Sequence, residues 1–146
     1  MRHLIISAKL VFIFIVFLPI QANADIVVIL NPSSGINELT RLQVVDIYMG
    51  RKVTMPNGKL FVPYGHPANS TIRAHFYEKL IGKSVASVNA YWARLIFTGR
   101  ASPPRMVPDG LKMTEIIENN PNTIGYININ DLNDRVNVVF RFGTDE

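Results

Sequence analysis

Phe61 to Lys83 reads FVPYGHPANSTIRAHFYEKLIGK, and the order of its parts decides the fold. The stretch Leu60 to Pro63 predicts a short strand. Tyr64-Gly65-His66-Pro67-Ala68-Asn69 cannot continue it, because Gly and Pro break regular structure and Asn favours a turn. Ser70 then stands where a helix N-cap belongs, and Ile72, Phe76 and Leu80 repeat every four residues until Gly82. A strand, a polar loop and a helix in that order form the unit of an α/β domain.

The same alternation extends in both directions. Upstream, Ile26 to Leu30 (IVVIL) is wholly apolar and β-branched, as a strand covered on both faces is. Asn31-Pro32-Ser33-Ser34-Gly35 ends it. Thr40 and Gln43 form a capping box that opens a helix, with Leu42, Val45 and Met49 on one face and Gly50 at its C-terminal end. Downstream of a Pro56-Asn57-Gly58 turn and the quoted stretch, Ser84 caps a third helix with Val88, Trp92 and Leu95 or Ile96 inward, ending near Gly99. Pro103-Pro104 excludes regular structure from Arg100 to Pro104. A brief strand at Met106-Val107, a helix from about Leu111 to Asn119, and strands at Ile124 to Ile127 and Val136 to Phe140 complete the chain. The sheet is expected to be mixed and mostly parallel, flanked by helices.

At the N-terminus, Arg2, His3 and Lys9 precede Leu10 to Ile20 (LVFIFIVFLPI), a run of 11 residues, and Ala22-Asn23-Ala24 follows it. This is the pattern of a cleavable secretory signal over residues 1–24, with cleavage before Asp25 and a domain over 25–146. A bilayer-spanning helix needs roughly 20 apolar residues, so no stable membrane anchor is expected after cleavage. The absence of cysteine excludes a disulfide framework, a thiolate metal site and a thiol nucleophile. It also removes the acceptor for a lipid anchor, and the expected address is the periplasm.

Of fifteen Lys and Arg, Arg2 and Lys9 leave with the leader while all eleven acidic residues remain, so the mature chain carries +2. Its basic residues are scattered singly, which argues against nucleic acid as a partner and suits a small anion.

Catalytic patterns are missing. No HExxH, GxSxG, GxxxxGK or paired-carboxylate spacing occurs, and Asp131 and Asp134 lack the calcium-loop pattern. His75 reads as a packed or surface residue. No enzyme activity, metal or cofactor is expected. The strongest site is the entry to the Ser70 helix, where a first turn presents unpaired N–H groups and partial positive charge to an anion. The candidate anion-binding residues are Asn69, Ser70, Thr71 and Arg73, with Tyr64 and His66 in the preceding loop. Tyr91 to Arg105 (YWARLIFTGRASPPR) mixes aromatics with Arg94, Arg100 and Arg105; Trp92 and Phe97 read as core. Gly125-Tyr126 predicts a close approach of backbone or ligand.

Taken in order, LTRLQVVDIYMGR, FVPYGHPANSTIRAHFYEKLIGK, YWARLIFTGRASPPR and NNPNTIGYI resemble the phosphate ABC transporter substrate-binding proteins, and within them a short, single-lobe type. The resemblance spans nearly the whole mature chain. It implies a type II periplasmic-binding-protein-like domain that captures phosphate or a similar oxyanion, weakly or with a partner such as an ABC permease or a second copy. In two-lobed members an Arg followed by a Gly-Ser-Gly-Thr-like turn at a helix start holds phosphate. Ser70 and Thr71 match its hydroxyl positions, Asn69 falls at the turn's start, and Tyr64 to His66 stand where the Arg would be. The competing expectation is a non-catalytic envelope interaction protein that kept the fold and lost the ligand.

Overall fold

The computed structural model describes residues 25–51 and 53–143; the expected leader lies outside them. Strand β1 (Ile26–Leu30) has all five residues buried, for the reason its composition suggests. Ile26, Val28 and Leu30 join one apolar cluster, while Val27 and Ile29 join a second on the opposite face. Helices α1 (Arg41–Tyr48), α2 (Thr71–Ile81) and α3 (Val85–Phe97) feed the first cluster. Helix α4 (Gly110–Asn119) supplies Met113 and Ile117 to the second.

The remaining strands are β2 (Val62–Gly65), β3 (Arg105–Met106), β4 (Thr123–Asn128) and β5 (Asn137–Arg141), and the sheet order is β3-β2-β4-β1-β5. β2 runs parallel to β3 and β4, and β1 runs antiparallel to β4 and β5. Four strands therefore share one direction and β1 alone is reversed, which makes the sheet mixed and mostly parallel.

Local signals place most elements. The α1 capping box is complete: Thr40 accepts from the Gln43 N–H and Gln43 accepts from the Thr40 N–H. Ser84 caps α3 through the Ser87 N–H, and Asp109 caps α4 through the Lys112 N–H. Gly50 has φ +80°, and a Cβ there would lie 2.7 Å from Trp92 Cη2. Glycine is thus required both for the backbone and for the contact with α3.

Apart from one-residue shifts at the ends of β3, β4, β5 and α4, three details depart from the sequence reading. β2 starts at Val62 rather than Leu60, because Leu60 is used in a bridge to Thr54 that closes the Pro56-Asn57-Gly58 turn. The Val62 N–H opens the β4 ladder instead, 2.9 Å from the Asn122 carbonyl. The buried face of α1 is Val44, Ile47 and Tyr48, with Leu42 exposed and Val45 and Met49 only partly covered. Tyr48 turns the helix: its hydroxyl donates to the Tyr64 carbonyl at 3.0 Å, and its ring meets Phe76 and Tyr126 edge-on. Phe97, read as core, is 91 % exposed. It is the last residue of α3, where Trp92 and Val88 already fill the inward face.

Candidate functional site

The strand-to-helix junction is built around a turn. β2 ends at Gly65, and Pro67 to Ser70 folds back so that the Pro67 carbonyl accepts both the Ser70 N–H, at 3.0 Å, and the Ser70 hydroxyl, at 2.7 Å. Ser70 holds the N-cap position of α2, yet its side chain makes no cap. The hydroxyl has been taken by a local competitor, as short polar side chains in turns often are. Of the four described α-helices, α2 alone starts without a side-chain cap. The orphan donors and positive end of its dipole are left for another acceptor.

Beside this helix start lies a cleft of about 260 Å³ between α2, α3 and the Pro103-Pro104 segment. His66, Arg73, Tyr77, Asn89, Trp92 and Tyr126 supply its polar atoms. Arg73 sits in the first turn of α2. One guanidinium nitrogen, Nη2, donates to Asn89 Oδ1 at 2.9 Å, and the group rests 5.5 Å from the Tyr77 ring centroid. The other nitrogen, Nη1, is buried without a hydrogen-bond partner. The ion pairs among the described residues join Arg51 to Asp46, Lys112 to Glu115 and Arg135 to Glu118. Arg73 takes part in none of them. A guanidinium N–H in this condition forgoes a charge-assisted bond worth more than a neutral one.

Trp92 is the second such group. It is 4 % exposed, and its indole N–H is buried and unpartnered. That N–H faces the Tyr77 hydroxyl without closing an ordinary hydrogen bond, and still opposes the rise in the Tyr77 pKa. Burial dominates there, pushing the phenol up to about 12, with Arg73 pulling it back. Tyr126 is raised by burial further still.

His66 is 3 % exposed, and its Nε2 lies 2.8 Å from the Tyr126 carbonyl. A carbonyl only accepts, so Nε2 carries the proton in the neutral ring. Burial lowers the His66 pKa, against the Tyr126 carbonyl and the carboxylates of Asp109 and Asp131. A buried neutral histidine with its donor satisfied locks loop to sheet.

The six residues picked from the sequence divide into three groups. Asn69, Ser70 and Thr71 form the entry to α2, and His66 and Arg73 line the adjoining cleft. Tyr64 sits apart: it packs on the α4 side of the sheet, and its hydroxyl accepts from Arg105 Nη1 at 3.3 Å. Arg94 and Arg100 are exposed on the surface. Sequence reasoning missed Asn89, Tyr77 and the indole N–H of Trp92. Helical spacing correctly turned Trp92 inward, but periodicity carries no information about which polar atom ends unpaired. Gly125 does permit a close approach, though of a helix: a Cβ there would overlap Met113 Sδ of α4 and lie 2.9 Å from its Cγ. Among the described residues no group of three acidic or histidine side chains could hold a metal ion.

No family model and no curated protein matches the sequence. Solved structures do. The fold matches an ABC-type phosphate transport receptor from Vibrio cholerae with TM-score 0.62 and 18 % identity, over 79 % of this chain and 45 % of the receptor. A candidate phosphate ABC transporter substrate-binding protein from Clostridium perfringens, solved with bound phosphate, matches with TM-score 0.60 and 21 % identity, over 79 % of this chain and 44 % of the other. A candidate phosphate binding protein from Planctomyces limnophilus gives TM-score 0.58 and 14 % identity, covering 79 % and 40 %. The chain therefore shares the fold of phosphate-binding receptors while spanning less than half the length of each. These neighbours are described as binding proteins, not enzymes.

Proposed function

We propose that this chain is a non-enzymatic periplasmic binding protein that captures phosphate or a similar oxyanion at the start of α2. The observation that carries the reading is Arg73 Nη1, a buried cationic N–H with no partner, lining a cleft beside a helix start that no side chain caps. An anion there pairs with Arg73 and lies toward the positive end of the α2 dipole. Arg73 is its first donor, Thr71 and the first-turn N–H groups stand beside the cleft, Asn69 and Ser70 shape the approach, and His66 ties the loop to the sheet while Tyr64 lies on the α4 side. The likeness to phosphate-binding receptors supports the ligand kind. No described helix is long and apolar enough to cross a membrane, and the leader read over residues 1–24 supports export.

Capture by this chain alone is weak. A useful site buries roughly 70–90 % of its ligand, and the cleft's own residues Ile96 and Met106 stand exposed. An ABC permease or a second copy covers the open side of the cleft. A thermal-shift screen with phosphate, sulfate and small carboxylates tests the anion reading: a saturable rise in Tm for the wild type, lost in Arg73→Ala, is expected. The same shift in both proteins contradicts it. A second reading, an interaction protein without ligand, draws on the exposed Ile96, Phe97 and Met106, and it gains if no anion raises the Tm.

A further inference from the structure

The cleft offers more than an arginine. Arg73 Nη1 and Trp92 Nε1 are the two buried side-chain polar atoms left without a partner among the described residues, and both residues line this one cleft. The rest of its lining divides between His66, Tyr77, Asn89 and Tyr126, which carry polar atoms, and an apolar stretch of Ala93, Ile96, Pro103, Pro104 and Met106. No acidic residue is among its lining.

Two orphan N–H donors, one of them cationic, equal in number the two oxygens of a carboxylate. A phosphate or sulfate brings four oxygens, and those turned toward Ile96, Pro103 and Pro104 rather than toward Tyr77 or Asn89 would lose water without gaining a donor. The volume points the same way. About 260 Å³ exceeds what a bare oxyanion fills, and apolar walls reward a ligand that carries carbon.

We infer that the ligand of this cleft is a small organic carboxylate, its head on Arg73 Nη1 and Trp92 Nε1 and its apolar body along Ile96, Pro104 and Met106. This rests on the oxyanion reading of Arg73 and narrows its ligand class. The aliphatic residues at the mouth, Ile96 and Met106, are exposed in the free protein, and the ligand's body covers them.

Trp92 is the single tryptophan of the chain, so its indole N–H gives one resonance in a proton–nitrogen NMR spectrum. The test is a titration of the purified protein with acetate, butyrate, hexanoate and, separately, inorganic phosphate, following that resonance. The expected result is a saturable shift of the indole N–H by the carboxylates. Each added methylene that reaches the wall should tighten binding about fourfold, until the cleft is full. Ile96→Ser, at an exposed position, should flatten that chain-length dependence while acetate still binds. Arg73→Ala should abolish the shift for all of them. Binding of phosphate as tight as hexanoate, or carboxylate affinities that do not change with chain length, overturns the inference and leaves the oxyanion reading standing. If no anion moves the resonance or binds by calorimetry, both fall.

Discussion

Protonating His66 in the folded chain means charging an imidazole that is 3 % exposed. Its pKa is lowered by burial, with the Tyr126 carbonyl, Asp109 and Asp131 opposing. Between the folded value and the unfolded one, near 6.5, the unfolded chain binds more protons than the folded chain. Stability must therefore fall as pH drops below about 6.5 toward the folded value, and be regained above it. The Tm should decline from pH 7 to pH 5. His66→Gln, whose amide can still donate toward the Tyr126 carbonyl, should remove part of that decline; an unchanged slope would mean that other groups set it. Gly50 is a second single-residue test. Gly50→Ala puts a side chain at φ +80° and against the Trp92 ring, and chemical denaturation should report a loss of about 2 kcal/mol.

At the scale of elements, the helix starts differ by one hydrogen bond. Thr40 and Ser84 cap their helices as the sequence predicts, and Asp109, which the sequence reading did not single out, caps α4. Ser70 has the same chemistry and the same position, but Pro67 sets a turn whose carbonyl claims the hydroxyl. Cap residues were legible, and this diversion was not, since it depends on the turn's backbone rather than on residue type. Two consequences follow for substitutions. Ser70→Ala should cost about 1 kcal/mol, the net worth of the bond to Pro67, and change anion affinity little. Ser70→Asp places a carboxylate where it can cap α2 and meet its dipole. It should hold or raise the Tm and weaken phosphate binding at least tenfold. If Ser70→Asp binds phosphate as the wild type does, the anion does not use this helix start.

For the whole molecule, the sequence reading carried the architecture further than the site. The unbroken IVVIL run indicated a strand with cover on both faces, and β1 lies between α1–α3 on one side and α4 on the other. Its reversed direction was not readable, since strand direction is set by long-range pairing with β4 and β5. The site depends on similarly distant meetings. Arg73 and Asn89 stand 16 residues apart and belong to different helices. Their contact fixes one guanidinium nitrogen and leaves the other without a partner, and no local pattern encodes that division. The aromatic stack that holds α2 against the sheet, Phe76 on Tyr126 at 3.7 Å between centroids, is of the same kind.

The central claim is that Arg73, at the uncapped start of α2, draws an oxyanion into the adjoining cleft. Titration calorimetry of phosphate into a monomer verified by light scattering, alongside Arg73→Ala, tests it most directly. The account predicts dissociation in the millimolar range, about −4 kcal/mol, for the wild type and at least tenfold weaker binding for the variant. Equal affinities in the two proteins would contradict it, and so would a monomer that releases no binding heat for any anion tried.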